Sequence, residues 1–279
     1  MPDRLSALLQ RFALRSRLVM GGVLHHELVL QPQAGVGHLH LLRRGPLRLT
    51  GPQGQHQLLV EPGLFFLPRP VPHRVAATAP EGAELVSAAV HFGAGDENPL
   101  LGSLPALLWV PMAQLPGLEP TQQLLFAEVL AARCGHAAVV DRLVEVLLIQ
   151  LLRHAVAERL VDAGAMAGLA DARLARAISA VHAEPARAWT LDGLAAVAGM
   201  SRARFAAHFA HTVGAPPGAY LTSWRLGLAR QLLRRGLPVK QVAAEVGYAS
   251  PGAFGRVFLQ RLGRTPRAWQ QEAAAASAA

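Results

Sequence analysis

The spacing of hydrophobic residues changes twice along the chain. Apolar residues at helical spacing predict a short helix over residues 3–16, and short apolar segments punctuated by Gly and Pro follow it. Such segments are typical of an antiparallel sandwich or barrel. Helical spacing then returns and predicts helices over 98–108, 120–133 and 136–162. The predicted strands are Glu27–Leu30, Gly37–Leu42, Pro46–Thr50, Gln57–Val60, Gly63–Leu67, His73–Ala77 and Glu84–Phe92.

The C-terminal part of the chain contains one pattern twice. The first copy runs from Leu194 to Tyr220, and the second runs from Val242 to Trp269. In each copy a helix rich in Ala and Val is predicted to end at a Gly, and a second helix begins after a Ser. This order is typical of a helix-turn-helix unit. The matched positions are Phe205 with Phe254, Phe209 with Phe258, Gly214 with Gly263, Pro217 with Pro266 and Tyr220 with Trp269.

The residues at each predicted turn suit that geometry. Gly199 and Gly247 can adopt the left-handed backbone that a tight turn between helices needs. The hydroxyls of Ser201 and Ser250 can cap the helix that follows. In that helix two Phe residues four positions apart share one face, so we expect this face to be buried and the opposite face to be exposed.

The opposite faces carry small and basic residues, as expected for helices that lie in the major groove of DNA. Charge supports this interpretation. From Asp171 onward the chain has fourteen of its 27 Lys and Arg residues but only five of its 18 Asp and Glu residues, so this part holds the whole net charge of +9. The predicted DNA contacts are Ser201, Arg202, Arg204, His208, Ser250, Gly252, Arg256 and Gln260.

Residues 171–270 resemble the DNA-binding domain of the AraC/XylS family of bacterial transcription regulators. The resemblance is most specific over residues 247–266, where spacing and residue types are similar to the family signature. It implies seven helices in two units, a linker helix over 217–235, and two recognition helices in successive major grooves about one helical turn apart. Family members often have Arg where this chain has Ala207 and His208, so the first recognition helix is expected to read fewer bases or to grip phosphate less firmly.

Two earlier segments, 37–45 and 60–73, resemble the two motifs of a cupin barrel, and they look closest to the ligand-binding domain that precedes the DNA-binding domain in many family members. His38 and His40 share one face of a predicted strand, and His73 follows the second motif. We expect these three histidines to line an effector pocket. As an alternative, they offer three nitrogens to a divalent metal. Arginines stand near the position where the cupin metal pattern has a Glu, which weakens the alternative of a metal-dependent enzyme.

The sequence therefore predicts an α+β protein, with an N-terminal antiparallel cupin-like β-barrel and flanking helices, followed by an all-α domain with two helix-turn-helix units. The predicted domains are the barrel with its N-terminal helix (1–95), a helical dimerisation region (96–162), a linker (163–170) and the DNA-binding domain (171–279). The predicted function is sequence-specific transcription regulation under control of a small-molecule effector. The alternatives are a metal-responsive regulator that uses the three histidines and a cupin enzyme fused to a DNA-binding module.

No further catalytic motif is found, so we expect a protein that is not an enzyme and has no catalytic residues. The expected partners are promoter or operator DNA, the effector, a second copy of the chain and, for an activator, RNA polymerase. The apolar stretch over 100–113 is too short to span a membrane, and the N-terminus lacks the apolar core of a signal peptide. The expected location is the bacterial cytoplasm, in association with the nucleoid.

Overall fold

The structure is a computed structural model that describes residues 5–11, 14–93, 98, 101–161 and 163–278. The chain divides into two compact units. The sheet unit consists of Phe12–Asp162, and the helical unit consists of Ala163–Ala279 together with Met1–Arg11. The predicted α+β class is confirmed. No helix within the described residues is long and apolar enough to cross a membrane.

The sheet unit is built from two antiparallel sheets. One has the strand order β1-β8-β3-β6-β9, and the other has the order β2-β7-β4-β5. Side chains of both sheets form a single hydrophobic cluster, to which Leu42 and Phe65 belong on one side and Leu47 and Val75 on the other. The core thus lies between two sheets, and no closed barrel is formed by strand pairing in the described residues. The strands are β1 (Leu14–Leu24), β2 (Glu27–Leu30), β3 (Val36–Arg44), β4 (Leu47–Thr50), β5 (His56–Leu59), β6 (Gly63–Leu67), β7 (His73–Ala77), β8 (Ala83–Phe92) and β9 (Leu108–Pro111).

Strands β1 and β9 begin where the sequence analysis predicted helices. The helix expected over 3–16 is limited to α1 (Ser6–Arg11) within the described residues, and β1 begins at Leu14. Most side chains of β1 are not fully buried, and polar residues and glycines interrupt its apolar ones. The sequence therefore does not mark this segment as a buried strand. Near the predicted helix over 98–108 the structure has a single helical turn at Leu101–Ser103, and β9 begins at Leu108.

Two helices pack against β1, namely α2 (Glu119–Ala131) and α3 (His136–Ala157). A Cβ atom at Gly21 would lie 2.7 Å from Cγ1 of Val129, so a glycine lets α2 approach the strand closely. Carboxylates of α3 bind the backbone of this edge strand. Leu18 N–H donates to Asp141 Oδ1 at 2.8 Å, and Ser16 N–H donates to Glu145 Oε1 at 3.3 Å.

The helical unit contains the seven helices that the family resemblance implies, preceded by an additional one, α4. The segment predicted as a linker over 163–170 is instead largely helical, because its small side chains pack closely. Met166 and Leu169 are buried, and a Cβ atom at Gly168 would lie 2.3 Å from Cδ1 of Ile178. The helices are α4 (Gly164–Ala170), α5 (Leu174–Ala183), α6 (Leu191–Ala198), α7 (Arg202–Val213), α8 (Pro217–Arg234), α9 (Val239–Glu245), α10 (Pro251–Leu262) and α11 (Pro266–Ala278).

The N-terminal helix α1 also belongs to the helical unit, whereas the sequence prediction grouped it with the barrel. Leu5, directly before the helix, and Leu8 within it are both buried. The helix contacts α5. An amphipathic pattern predicts that one face of a helix is buried, but it does not say against which partner.

Candidate DNA interface and effector site

The first helix-turn-helix unit consists of α6 and α7. The Thr190 hydroxyl caps α6, and Gly199 ends that helix in the left-handed conformation with φ of 66°. Ser201 occupies the N-cap position of α7, but its side chain forms no capping hydrogen bond there. Phe205 and Phe209 are buried, so the opposite face of α7 is turned outward.

The second unit, α9 and α10, repeats this arrangement with a complete cap. Gly247 adopts φ of 81°, which confirms the left-handed turn expected at both glycines. The Ser250 hydroxyl accepts a hydrogen bond from Ala253 N–H at 3.1 Å, as expected for an N-cap. Phe254 and Phe258 are fully buried.

The outward face of α10 presents the predicted DNA contacts in one row. Gly252, Arg256 and Gln260 follow one another at intervals of four residues, and all three are exposed. No ion pair engages Arg256 within the described part of the chain. The nearest atom to a Cβ at Gly252 would be Ser250 Oγ, at 3.9 Å, so the fold itself does not require glycine at this position.

The basic residues of α7 are more constrained. Arg202 Nη1 lies 3.2 Å from Asp192 Oδ2, and Arg204 is exposed. His208 Nε2 lies 2.8 Å from Asp171 Oδ2, so this histidine is held toward the start of α5. Burial acts to raise the pKa of Asp171, but hydrogen bonds from Leu174 N–H and from His208 outweigh it and lower this pKa. Two of the three basic residues predicted to contact DNA on α7 are thus engaged by carboxylates, whereas Arg256 on α10 has no ion-pair partner among the described residues.

A contact through α8 joins the two helix-turn-helix units. Arg225 Nε donates to the carbonyl oxygen of Pro185 at 2.8 Å, and its Nη2 donates to the carbonyl oxygen of Arg187 at 2.8 Å. The same guanidinium lies over the ring of Tyr248, 5.7 Å from its centroid. A Cβ atom at Gly247 would lie 2.6 Å from the carbonyl oxygen of Ala186. Because the loop before α6 and the turn after α9 meet in this way, the spacing of the two recognition helices is constrained.

The sheet unit brings together the three histidines singled out from the sequence, all of them buried. His73 Nδ1 lies 2.9 Å from the carbonyl oxygen of Val71, and His40 Nε2 lies 3.1 Å from His73 Nε2. A carbonyl can only accept, so in a neutral network His73 Nδ1 donates to Val71 and His73 Nε2 accepts from His40. His40 Nδ1 then accepts from the Ser87 hydroxyl at 2.8 Å. Each ring nitrogen of His40 and His73 thus has a hydrogen-bond partner when both histidines are neutral.

All three histidines favour the neutral form. Burial, together with the nearby His73 and His91, lowers the pKa of His38 to about 4. Burial also lowers the pKa of His40 well below its usual range, and it lowers that of His73 despite the opposing hydrogen bond to Val71. The Nδ1 atom of His38 is buried and has no hydrogen-bond partner among the residues that the structure describes. Within the described residues no group of three or more His, Cys, Asp or Glu side chains is placed to hold a metal ion.

Known proteins with similar sequences fit both units. A family model described as Cupin matches residues 3–157, more than half of the chain, and one described as Helix-turn-helix domain matches residues 194–272. An uncharacterized HTH-type transcriptional regulator of Haemophilus influenzae is 34% identical over 251 residues, which cover 82% of this chain and 84% of that protein. A putative AraC-like transcription regulator of Streptomyces antibioticus is 38% identical over 188 residues, 65% of this chain and 61% of that protein. This chain belongs to the AraC family of transcription regulators.

Similarity to a known HTH-type transcription regulator extends over nearly the whole chain. The RCS-specific HTH-type transcriptional activator RclR of Escherichia coli is 29% identical over 277 residues, which cover 96% of this chain and 97% of that protein. The predicted function, a DNA-binding transcription regulator with an N-terminal cupin domain, is therefore confirmed.

Sequence reasoning missed several residues that shape these sites in the AraC-family regulator. Arg225 and Ser87 each contact residues at least 38 positions away, so no local pattern marks them. Only the family resemblance, which implied a linker helix over 217–235, pointed to the part of the chain that holds Arg225.

His73 lines a cavity of about 330 Å³ together with Leu30, Thr50 and other residues.

Proposed function

We propose that this regulator reads DNA with the exposed faces of α7 and α10, and that α10 makes the larger contribution. The main support is the exposed row of Gly252, Arg256 and Gln260, which lies opposite the fully buried Phe254 and Phe258. An unpaired Arg at the centre of such a row suits a guanine edge or a phosphate. On α7 the proposed contacts are Ser201, Arg202, Arg204 and His208, and Ser250 adds to the contacts of α10.

Hydroxyl-radical footprinting of the full chain on the DNA upstream of its own gene tests this proposal. Two protected stretches on one face of the duplex, about one helical turn apart, are expected from a pair of recognition helices in successive major grooves. Gly252→Ala adds a methyl group that the fold accommodates, so we expect unchanged stability and weaker protection at the half-site of α10. Gly255→Ala on the same helix is the matched control, because a Cβ there has no described atom within 4 Å. Protection of a single stretch in the wild type would contradict the proposal.

We propose further that a small-molecule effector bound in the sheet unit controls DNA binding. The support is the cupin family match and a ligand-sized cavity at His73. Relatives named as transcription regulators support a regulatory and non-enzymatic role for this unit. A metal-responsive mechanism has less support. Only His40 and His73 among the three histidines are hydrogen-bonded to each other, and the described residues contain no group of three or more side chains placed to hold a metal ion. We expect the regulator to act in the bacterial cytoplasm at promoter DNA of the nucleoid, with RNA polymerase as a partner where it activates.

We also propose that two copies associate through α2 and α3. Four large apolar side chains on these helices are 41–63% exposed, namely Leu124, Leu130, Val139 and Val146. Sedimentation equilibrium of Leu130→Glu and Val146→Glu variants tests this surface, and a dimer that becomes monomeric is expected. Leu58→Glu, at an exposed apolar position on β5, is the matched control and should remain dimeric. A wild type that is monomeric at all concentrations would contradict the proposal.

A further inference from the structure

A second cavity of about 330 Å³ in the sheet unit has chemistry that the histidine cluster lacks. Its inner wall is apolar and includes Leu49 and Leu67 of the hydrophobic core, together with Val71 and Leu107. Its outer residues are more polar. They are Gln55, His56, Gln57 and Arg69.

Arg69 is the permanently charged residue among those that line this cavity, and no Asp or Glu belongs to the lining. Its Nη2 atom donates to the carbonyl oxygens of Leu101 at 3.2 Å and Leu104 at 2.9 Å. These two bonds fix the guanidinium plane and use one of its three nitrogens. No carboxylate forms an ion pair with Arg69 in the described part of the chain. A fixed guanidinium that has no carboxylate partner among the described residues and lies beside an apolar wall favours an anion that carries an apolar group.

We propose that this cavity binds the effector and that the effector is a small, mainly apolar carboxylic acid in its ionised form. The planar carboxylate matches the N–H donors that remain on the guanidinium, and the apolar part would cover the leucine wall. The volume lies at the small end of the range for ligand pockets, which limits the size of the acid. The inference rests on the proposed control by an effector. It assigns recognition to Arg69 instead of the neutral histidines.

Isothermal titration calorimetry of the full-length protein tests the ligand class. The probes are hexanoate, octanoate and benzoate, each paired with its neutral amide, and inorganic phosphate as an anion without an apolar part. We expect at least one carboxylate to bind at least tenfold more tightly than its amide, with no binding of phosphate. Equal binding of acids and amides, binding of phosphate, or no binding of any acid would overturn the proposal.

Variants assign the site. Arg69→Gln should abolish the preference for the acid over the amide, and Ala106→Trp should block binding by filling the cavity from an exposed lining position. Because Arg69 also holds two carbonyl groups, Ala106→Trp keeps the test valid if Arg69→Gln unfolds. Arg48→Gln is the matched control, since Arg48 is an exposed arginine of β4 that belongs to the lining of neither cavity described here. Binding that survives in both cavity variants would place the acid elsewhere and overturn the assignment.

DNA affinity measured with and without the bound acid separates this inference from the proposed effector control. An acid that binds through Arg69 and changes DNA affinity supports both. An acid that binds through Arg69 without changing DNA affinity leaves the site in place but contradicts effector control through it. A DNA affinity that responds to the neutral amides alone supports effector control and overturns the assignment to a carboxylic acid.

Discussion

The two helix-turn-helix units share their buried positions and differ on their exposed faces. Phe205 and Phe209 of the first unit match Phe254 and Phe258 of the second, and all four are buried. When the two units are aligned on these Phe residues, the exposed Arg256 of α10 corresponds to Ala207 of α7. The interior is shared because each unit needs the same helix packing to form, whereas the outer face is free to diverge. This difference is the basis of the unequal roles that we propose for the two helix-turn-helix units in reading DNA.

Removal of a shared aromatic side chain should have the largest effect, and it should be similar in both units. We expect Phe205→Ala and Phe254→Ala each to lower the free energy of unfolding by about 3–5 kcal/mol, because each leaves a cavity in a closed core. Chemical denaturation followed by circular dichroism measures this loss. Leu259→Ala, at a position of α10 that is 47% exposed, is the control and should have little effect. A unit that tolerates its Phe substitution would break the equivalence of the two cores.

Loss of the link between the units should come next. Arg225→Met removes two hydrogen bonds from a charged group to backbone carbonyls, at a total cost of about 1.5–3 kcal/mol, because one of the two bonds is exposed to solvent. We expect lower stability and a relaxed preference for the spacing between half-sites, measured by selection from DNA libraries of varied spacing. Arg234→Met is the control, since Arg234 is exposed and stacks on Trp269. An unchanged spacing preference in Arg225→Met would mean that α8 alone sets the distance.

The exposed faces should differ in their contribution to DNA affinity. Arg256→Ala is expected to weaken binding by about 1–3 kcal/mol, as for an arginine that reads a base. Arg202→Ala is expected to cost less than about 1 kcal/mol, because Asp192 already engages that side chain. Fluorescence anisotropy at fixed salt concentration measures both. Equal losses would contradict the unequal roles proposed for the two helices, and unchanged affinity in both would contradict the assignment of the interface.

The smallest expected effect concerns acid stability in the first unit. The lowered pKa of Asp171 means that its contribution to folding is present above its ordinary pKa of 3.8 and is lost as the pH falls through the folded value. The stability difference between the wild type and Asp171→Asn should therefore be largest near neutral pH and should shrink below about pH 4. Thermal denaturation across pH measures it, with Glu245→Gln in the second unit as the control. A difference that does not depend on pH would show that the Asp171 carboxylate is not stabilised in its charged form.

Local patterns explain which parts of the fold were predictable. The bounds of β2, β6 and β7 agree with the sequence prediction, because their apolar segments are flanked by Gly, Pro or polar residues. The strand β1 escaped prediction, since much of its surface stays exposed and its neighbours along the chain have helical spacing. A segment rich in Gly and Ala indicated a linker, although small side chains also allow close helix packing, as Gly168 shows.

The residues of the candidate sites likewise fall into those that local patterns predict and those that depend on contacts between distant parts of the chain. The turn glycines, the cap at Ser250 and the exposed row on α10 follow from a repeated local pattern, so they were predictable. The sequence also indicated that the three histidines belong to one site. The hydrogen bond of His40 to Ser87 depends on strand register, and the bond of His40 to His73 joins the two sheets, so no local spacing determines either of them. The anchoring of Arg69 by two carbonyl groups likewise depends on a loop more than thirty positions away.

The contact of α3 with the strand β1 has a consequence for the behaviour of this protein in concentrated solution. A long strand at the edge of a sheet offers unpaired N–H groups to any other extended chain, and this is a common route to aggregation. Asp141 and Glu145 occupy two of these donors on β1 and place negative charge beside it. They thereby act against the addition of a strand from another molecule to this edge.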